Sequence, residues 1–324
     1  MTYAYQGAIA STDFNSLVGA TNSTTANQLN GIWGVGFASM GYGQSPPINN
    51  KSTYEPLSSG DWANLITTTN TIALHQDNAA TITSVTVPTT YSAVQYSANN
   101  SNNLITIYTN RLSAYLQGTT SANVVTRATT WSTALTFTHT VTFANAYAAR
   151  YFFNAGGQLK ITCSHANSAT SLNTVFNTLA SQVGTITISA PGDSSTLKIG
   201  GTGGTTYNGI TKIGGSGNTP TIDATKGYYG LSTANATVFT QLATGDATYQ
   251  TSYISVIAKT NASNATGTGD KGNILTIYTV WDVIPNTASV GSGSTTTLTV
   301  VPPSTSQLAN TWGAITNTGT VSGS

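Results

Sequence analysis

The chain has 324 residues but only 6% of them are charged, 10 Lys and Arg against 9 Asp and Glu, with 3 His and a net charge of +1; a typical chain carries about 25%. So little charge leaves few groups for acid–base chemistry, and the scattered basic residues exclude a polybasic membrane patch and the clustered Lys/Arg surface that nucleic acid requires. With 39% hydrophobic residues, including 16 Tyr, 8 Phe and 5 Trp, the chain can still bury a sizeable core and is long enough for two domains.

Met1-Thr2-Tyr3-Ala4-Tyr5-Gln6 lacks the basic and apolar regions of a secretory signal, and no run approaches the ~18 apolar residues of a membrane span. Ser11-Thr12-Asp13 predicts the cap of a short helix carrying Phe14, Leu17 and Val18. A glycine-rich aromatic stretch follows, from Gly34 to Gly43, and then Pro46-Pro47 predicts an extended segment. A second helix is marked by a cap at Ser58 or Ser59, by Asp61 at its positive end, and by Trp62, Leu65, Ile66 and Thr69 at i, i+3, i+4, i+7. It runs toward His75, where a cation at the negative helix end is expected. These two helices make a small module with too little core to stand alone, so it is expected to dock on a neighbour.

From about residue 82 the hydrophobic period changes from 3.6 to 2. Residues 81–87 and 135–143 alternate Thr with large apolar groups, as half-buried antiparallel strands do. Tyr151-Phe152-Phe153 and 158–164 flank Asn154-Ala155-Gly156-Gly157, which reads as a hairpin. The single Cys163 shares a register with Leu159 and Ile161; it rules out an internal disulfide framework and reads as an apolar strand residue in a reducing compartment. A further helix is capped by Ser171, carries Leu172, Val175, Phe176 and Leu179, and stops at Gly184.

Residues 191–220 form a Gly/Thr-rich insertion in which Lys198-Ile199-Gly200-Gly201-Thr202-Gly203 recurs as Lys212-Ile213-Gly214-Gly215-Ser216-Gly217. No Gly-Lys-Ser/Thr and no helix follow it, so it reads as an elongated surface hairpin and not as a phosphate cradle. Strands resume at 238–239, 253–258, 274–284 and 295–301, and Leu275-Thr276-Ile277-Tyr278-Thr279 nearly repeats the strand-like Ile105-Thr106-Ile107-Tyr108-Thr109. The last twenty residues are polar and are expected to be loose unless a partner strand captures them.

The acids propose no catalytic pair. Asp13 and Asp61 lie at helix starts, and Asp193, Asp246 and Asp270 beside Gly or Ser, where caps and turns favour Asp. His75, His139 and His165 match no zinc spacing, and His139 falls in the inward register of a strand. Residues 261–273 offer one carboxylate among amides and hydroxyls, which is poor for calcium. Tyr228, Tyr229 and Trp281 are candidate sugar-contacting aromatics, set against the alternative that they are core or interface anchors.

Several motifs in order carry a resemblance. They are 13–17, Gly41-Tyr42-Gly43-Gln44, 61–65, His75-Gln76, Arg150 to Leu159 (with Tyr151-Phe152-Phe153-Asn154), the helix 171–183 with Gly184-Thr185-Ile186, Gly227-Tyr228-Tyr229-Gly230-Leu231, and 253–260. With these the chain resembles virion structural proteins of tailed bacteriophages, common in phages of cyanobacteria and marine bacteria and of tail-fibre, neck or tail-appendage type. Residues 90–130 match nothing in that group, and 191–220 is longer and richer in glycine. The resemblance implies location in the virion after assembly in the host cytoplasm, with no catalytic residues.

The expectation is therefore a mainly β protein. An N-terminal helical module (1–85) precedes an antiparallel β-sandwich-like body (86–324) with one packed helix. It acts without enzymatic chemistry, cofactor, metal, nucleic acid or membrane insertion, by assembling with copies of itself and other virion proteins. Trp33, Phe37, Tyr42 and Trp62 are the expected docking residues. The alternatives are a receptor- or glycan-binding adhesin contacting host surface sugar, and a capsid-surface decoration protein.

Overall fold

The computed structural model describes residues 11–20, 28–34, 41–53, 55–76, 98–111, 115–191, 208–263 and 271–324. The predicted strand 81–87, the first copy of the glycine-rich repeat (198–203), Phe37, Asp77, Asp193 and the loop 264–270 lie outside them.

The N-terminal part is helical: α1 (Ser11–Val18), α2 (Asn30–Trp33), α3 (Ser59–His75) and α4 (Ala98–Asn110). A full capping box starts α3, with Ser58 accepting from the Asp61 amide and the Asp61 carboxylate accepting from Ser58 N. Its buried stripe Trp62, Leu65, Ile66, Thr69, Ile72 and Ala73 follows the predicted spacing. The Phe14 ring meets Trp62 edge-on at 5.7 Å.

The body is two antiparallel sheets packed face to face. Its elements are β1 (Ser121–Arg127), β2 (Ala134–Thr142), α5 (Ala146–Asn154), β3 (Gln158–His165), α6 (Ser171–Val183), β4 (Thr185–Ile188), β5 (Ile210–Ile213), β6 (Thr221–Ile222), β7 (Ala236–Leu242), β8 (Tyr253–Thr260), β9 (Ile274–Asp282), β10 (Ser294–Val301) and β11 (Thr316–Gly323). One sheet has the order β1-β10-β3-β4-β5 and the other β11-β2-β9-β8-β7-β6. Period-2 patterning places Leu135, Phe137, His139 and Val141 of β2 inside, with Thr between them facing out. β9 and β10 repeat the pattern.

Helix α6 contacts β3 of one sheet and β7 and β8 of the other, so it plugs the space between them. Phe176 of this helix lies parallel to Trp281 of β9 at 6.0 Å and edge-on to Trp131 at 5.0 Å. The side-chain hydroxyl of Thr170 caps the helix, one residue before the expected Ser171. Gly184 ends it at φ +63°, where a Cβ would overlap the carbonyls of Ile213 and Gly214.

Four expectations are corrected. The segment 151–153 is the end of helix α5, not a hairpin strand. Asn145 caps that helix by accepting from Ala148 N, and Ala148, Ala149, Phe152 and Phe153 are buried on one face. The strand-like 105–109 is helical in α4, with Leu104 and Ile107 buried and Ile105 turned outward. The body thus has α5 as well as α6, and α4 falls after residue 85. The C-terminal residues are ordered, because β11 pairs with β2 from Thr316–Thr142 to Gly323–Leu135. Of the insertion, Ile210–Ile213 of the second glycine-rich copy pairs antiparallel with β4, and the chain then passes to the other sheet at β6, while the first copy lies outside the described residues.

The insertion is closed at its base. Ser189 N bonds Gly209 O at 2.9 Å, Gly209 N bonds Ala224 O at 2.8 Å, and Tyr228 N bonds Ser189 O at 2.9 Å. A Cβ at Gly209 or Gly227 would overlap the Pro191 carbonyl.

Candidate functional site

Two features of the folded chain are candidates: a buried junction between the N-terminal helices and the sandwich, and a groove at the surface. The junction gathers residues that are far apart in sequence. Asn154, at the end of α5, donates from Nδ2 to Gly41 O (2.9 Å) and accepts the Tyr229 hydroxyl on Oδ1 (2.6 Å). Gln76 Nε2 donates to the Tyr42 hydroxyl at 2.9 Å and to Ile107 O at 2.8 Å. His75 Nε2 donates to Ala155 O at 2.9 Å. Gln44 Oε1 accepts from Ala309 N (2.8 Å) and the Thr311 hydroxyl donates to Tyr42 O (2.8 Å). Gly43, at φ +70°, leaves room for the Tyr151 ring.

Every one of these polar side chains except Thr311 is at least nine-tenths buried, so the hydrogen bonds fix a single orientation of the module on the body. Replacing Asn154 with alanine removes the bonds to the Tyr229 hydroxyl and the Gly41 carbonyl. Guanidinium unfolding is expected to register a loss of about 2–3 kcal/mol.

Of the expected docking residues Tyr42 belongs to this junction, whereas Trp62 packs on Phe14 within the helical module and Phe37 lies outside the described residues. Tyr42 and Trp62 are each 1% exposed, and Trp33 is half-buried with its indole N–H donating to Pro46 O at 3.1 Å. The rings of Tyr42 and Trp62 are covered by the chain itself and are not open to a neighbour. His75 is fully buried, and burial holds its pKa below the ordinary value, so it is a neutral hydrogen-bond donor and not a helix-terminal cation. Burial likewise pushes the Tyr42 hydroxyl up to about 12.

The candidate sugar-contacting aromatics are also interior. Tyr228, Tyr229 and Trp281 are 0%, 1% and 0% exposed. Tyr228 stacks on Phe153 at 4.4 Å, and Trp281 lies between Phe176 and Phe137. No sugar can reach them in the folded chain, so of the two readings the core anchor holds. Tyr229 and Tyr42 belong to the junction; Trp281 sits apart, between the sheets.

Several titratable groups have structural roles. Lys51 bridges Glu55 at 2.9 Å and Asp61 at 3.0 Å, and these are the ion pairs among the described residues. Asp223 and Asp246 accept from the amides two residues on, Thr225 and Thr248, as turn residues do. His139 is fully buried between the sheets with neither ring nitrogen hydrogen-bonded. Burial pushes its pKa down to about 4, an effect the facing Thr296 backbone offsets only in part. His165 lies near Ser294 Oγ at 3.1 Å, and burial lowers its pKa too. The Cys163 thiol is pushed up to about 12 by burial, so it stays protonated and unreactive. Among the described residues no three His, Cys, Asp or Glu lie together as metal ligands, and no helix is long and apolar enough to cross a membrane.

The surface feature is an open groove of about 320 Å³ between the start of β1 and the β10–β11 connection. Thr119, Ser121, Thr305 and Asn310 supply hydroxyl and amide groups, while Pro302, Pro303, Trp312 and Ile315 supply apolar walls. Among the described residues no charged side chain lines it. Gly118 N bonds Pro302 O at 2.8 Å, which ties the two walls together. The sequence signal for this groove was present in Pro302-Pro303 followed by Asn310 and Trp312 between two strands, but nothing local shows that β1 begins beside them.

Compared with protein families, curated proteins and solved structures, the chain matches none.

Proposed function

We propose that this chain is a non-enzymatic structural component of a tailed-phage virion, in a fibre, neck or tail appendage, and that it acts by oligomeric assembly. The observation that carries the proposal is how the few charges are placed. Lys51, Glu55 and Asp61 pair with one another, and Asp61, Asp223 and Asp246 hold a cap and turns. The outward positions of the strands are mostly uncharged, Thr above all, with Arg127, Lys160, Lys212, Lys259 and Asp282 the charged residues among the described strands. A hydroxyl or amide surface desolvates at lower cost than a charged one and can hydrogen-bond across an interface. The ordered phage-like motifs of the sequence supply the virion location. Labelling of virions with an antibody to the purified chain is the test. Signal on a tail appendage or neck is expected; signal confined to the head surface would favour a decoration protein, and no signal on virions would overturn the reading.

A second reading, a virion adhesin for host surface glycan, is favoured by the uncharged groove at Trp312, whose mixed hydroxyl, amide and apolar lining suits a sugar. A glycan array probed with the isolated chain separates the two. Binding that is lost in Asn310→Ala supports the adhesin, and the absence of any binding leaves the scaffold reading.

A further inference from the structure

The two long edges of the sandwich differ from the two short ones. On one side the sheets end in β5, four residues including Lys212, and in β6, two residues preceded by Pro220. Short strands, Lys and Pro are the devices that keep an edge from pairing with another chain. On the other side the sheets end in β1, seven residues, and β11, eight residues. Among the described residues the main-chain ladder of β11 is formed only with β2 and that of β1 only with β10, each in unbroken register, while the Arg127 guanidinium of β1 donates to Gly323 O at the end of β11 at 3.0 Å. β11 carries no charge, no Pro and no bulge, and its exposed positions are Thr316, Thr318, Thr320, Ser322 and Gly323. β1 exposes Val124 at 61%.

The close approach of these two strands does not cover the edges. β11 meets β1 through its face: a Cβ on Gly319 would overlap Asn123 Oδ1 and Val125 Cγ2. The Asn317 amide reaches Leu298 O at 2.9 Å by the same route. β2 occupies one side of β11, so the opposite row of main-chain groups points away from the sheet, and at the end of the strand Gly323 O accepts from Arg127.

We infer that β11 is a self-pairing edge, along which a second copy of this chain adds its own β11 antiparallel about a two-fold axis. This rests on the assembly reading above and names the surface that performs it. A second copy fits because the strand is self-complementary. In an antiparallel pair of identical strands every outward Thr or Ser faces another Thr or Ser, a favourable cross-strand pairing, and no like charges meet. The joined sheets then run continuously from one body to the next, with main-chain hydrogen bonds providing the adhesion.

The test uses the full chain and the double variant Thr318→Lys/Thr320→Lys. These side chains point to solvent, so thermal unfolding and circular dichroism should match the native chain, while lysines would face lysines across the two-fold. Sedimentation velocity is expected to show a native dimer or higher oligomer, with association at least about tenfold weaker in the variant. Hydrogen exchange is expected to show β11 amides protected on concentrating the native chain but not the variant. A native oligomer that the variant forms equally well, with β11 exchange independent of concentration, would overturn this inference and leave the assembly reading intact. A native chain that stays a single copy would overturn both, leaving the edge to a strand of a different protein.

Discussion

Replacing Trp281 with alanine is expected to cost about 3–5 kcal/mol of folding stability, enough to erase a large share of the stability of an ordinary domain. The indole is fully buried, parallel to Phe176 of α6 at 6.0 Å and tilted against Phe137 of β2 at 5.8 Å. It thus joins a strand of one sheet to the helix that plugs the space between both. Alanine leaves a cavity that the two flanking rings cannot close without moving their own strands and helix. Urea denaturation should show the loss as a lower midpoint. A change of under about 1 kcal/mol would mean that the inter-sheet aromatic contacts do not hold the sandwich together.

Acid is the second strong lever. His139 has a folded pKa of about 4, against 6.5 for the free side chain. Between these values the unfolded chain binds the proton and the folded chain does not, so stability rises with pH across the window and falls as pH drops from about 6.5 toward 4. His139 alone should account for about 3 kcal/mol over that range. His75 and His165, whose pKa values burial also lowers, act in the same direction. Unfolding free energies measured from pH 7.5 to 4 test this. His139→Leu, which replaces an unpartnered imidazole with hydrocarbon, is expected to flatten most of the slope. A native slope near zero would show that protons reach His139 in the folded state.

What could be read from the sequence depended on whether a segment's structure is decided locally. Helix α3 was legible because Ser58, Asp61 and the Trp62-Leu65-Ile66-Thr69 stripe are all local signals and all agree. Strand β2 was legible because Thr alternates with apolar groups over its whole length. The pair 105–109 and 275–279 shows the opposite case. Nearly identical pentapeptides are helix in α4 and strand in β9, because Leu104 and Ile107 find the interior beside α1 and α3, whereas Leu275 and Ile277 find it between two sheets. The glycines after Asn154 resembled a hairpin turn, yet they follow a helix whose cap, Asn145, lies nine residues upstream of Asn154. β11 left almost no pattern to detect, since Val321 is its only large apolar residue and an edge strand buries little.

The candidate site was less legible than the fold, and for a single reason. Whether an aromatic ring is a binding surface or a core anchor depends on what packs against it from distant parts of the chain. Tyr42 meets Gln76, Tyr229 meets Asn154, and Trp281 meets Phe176, across separations that no local pattern spans. The same holds for the Trp312 groove, whose walls come from the start of β1 and from the end of the chain. The motifs that carried the phage resemblance are scattered along the sequence, yet Tyr42, His75, Gln76, Asn154 and Tyr229 meet in one buried junction. Their spacing therefore reflects how the helical module is fastened to the sandwich.

We propose that the sparsely charged strand surface packs against copies of itself. Sedimentation velocity of the native chain, over a concentration range of about 1–100 μM, tests it most directly. The account predicts a sedimenting species of at least twice the mass of one chain, little affected by added salt, because few charges lie at the surface. A monomer at every concentration would contradict it.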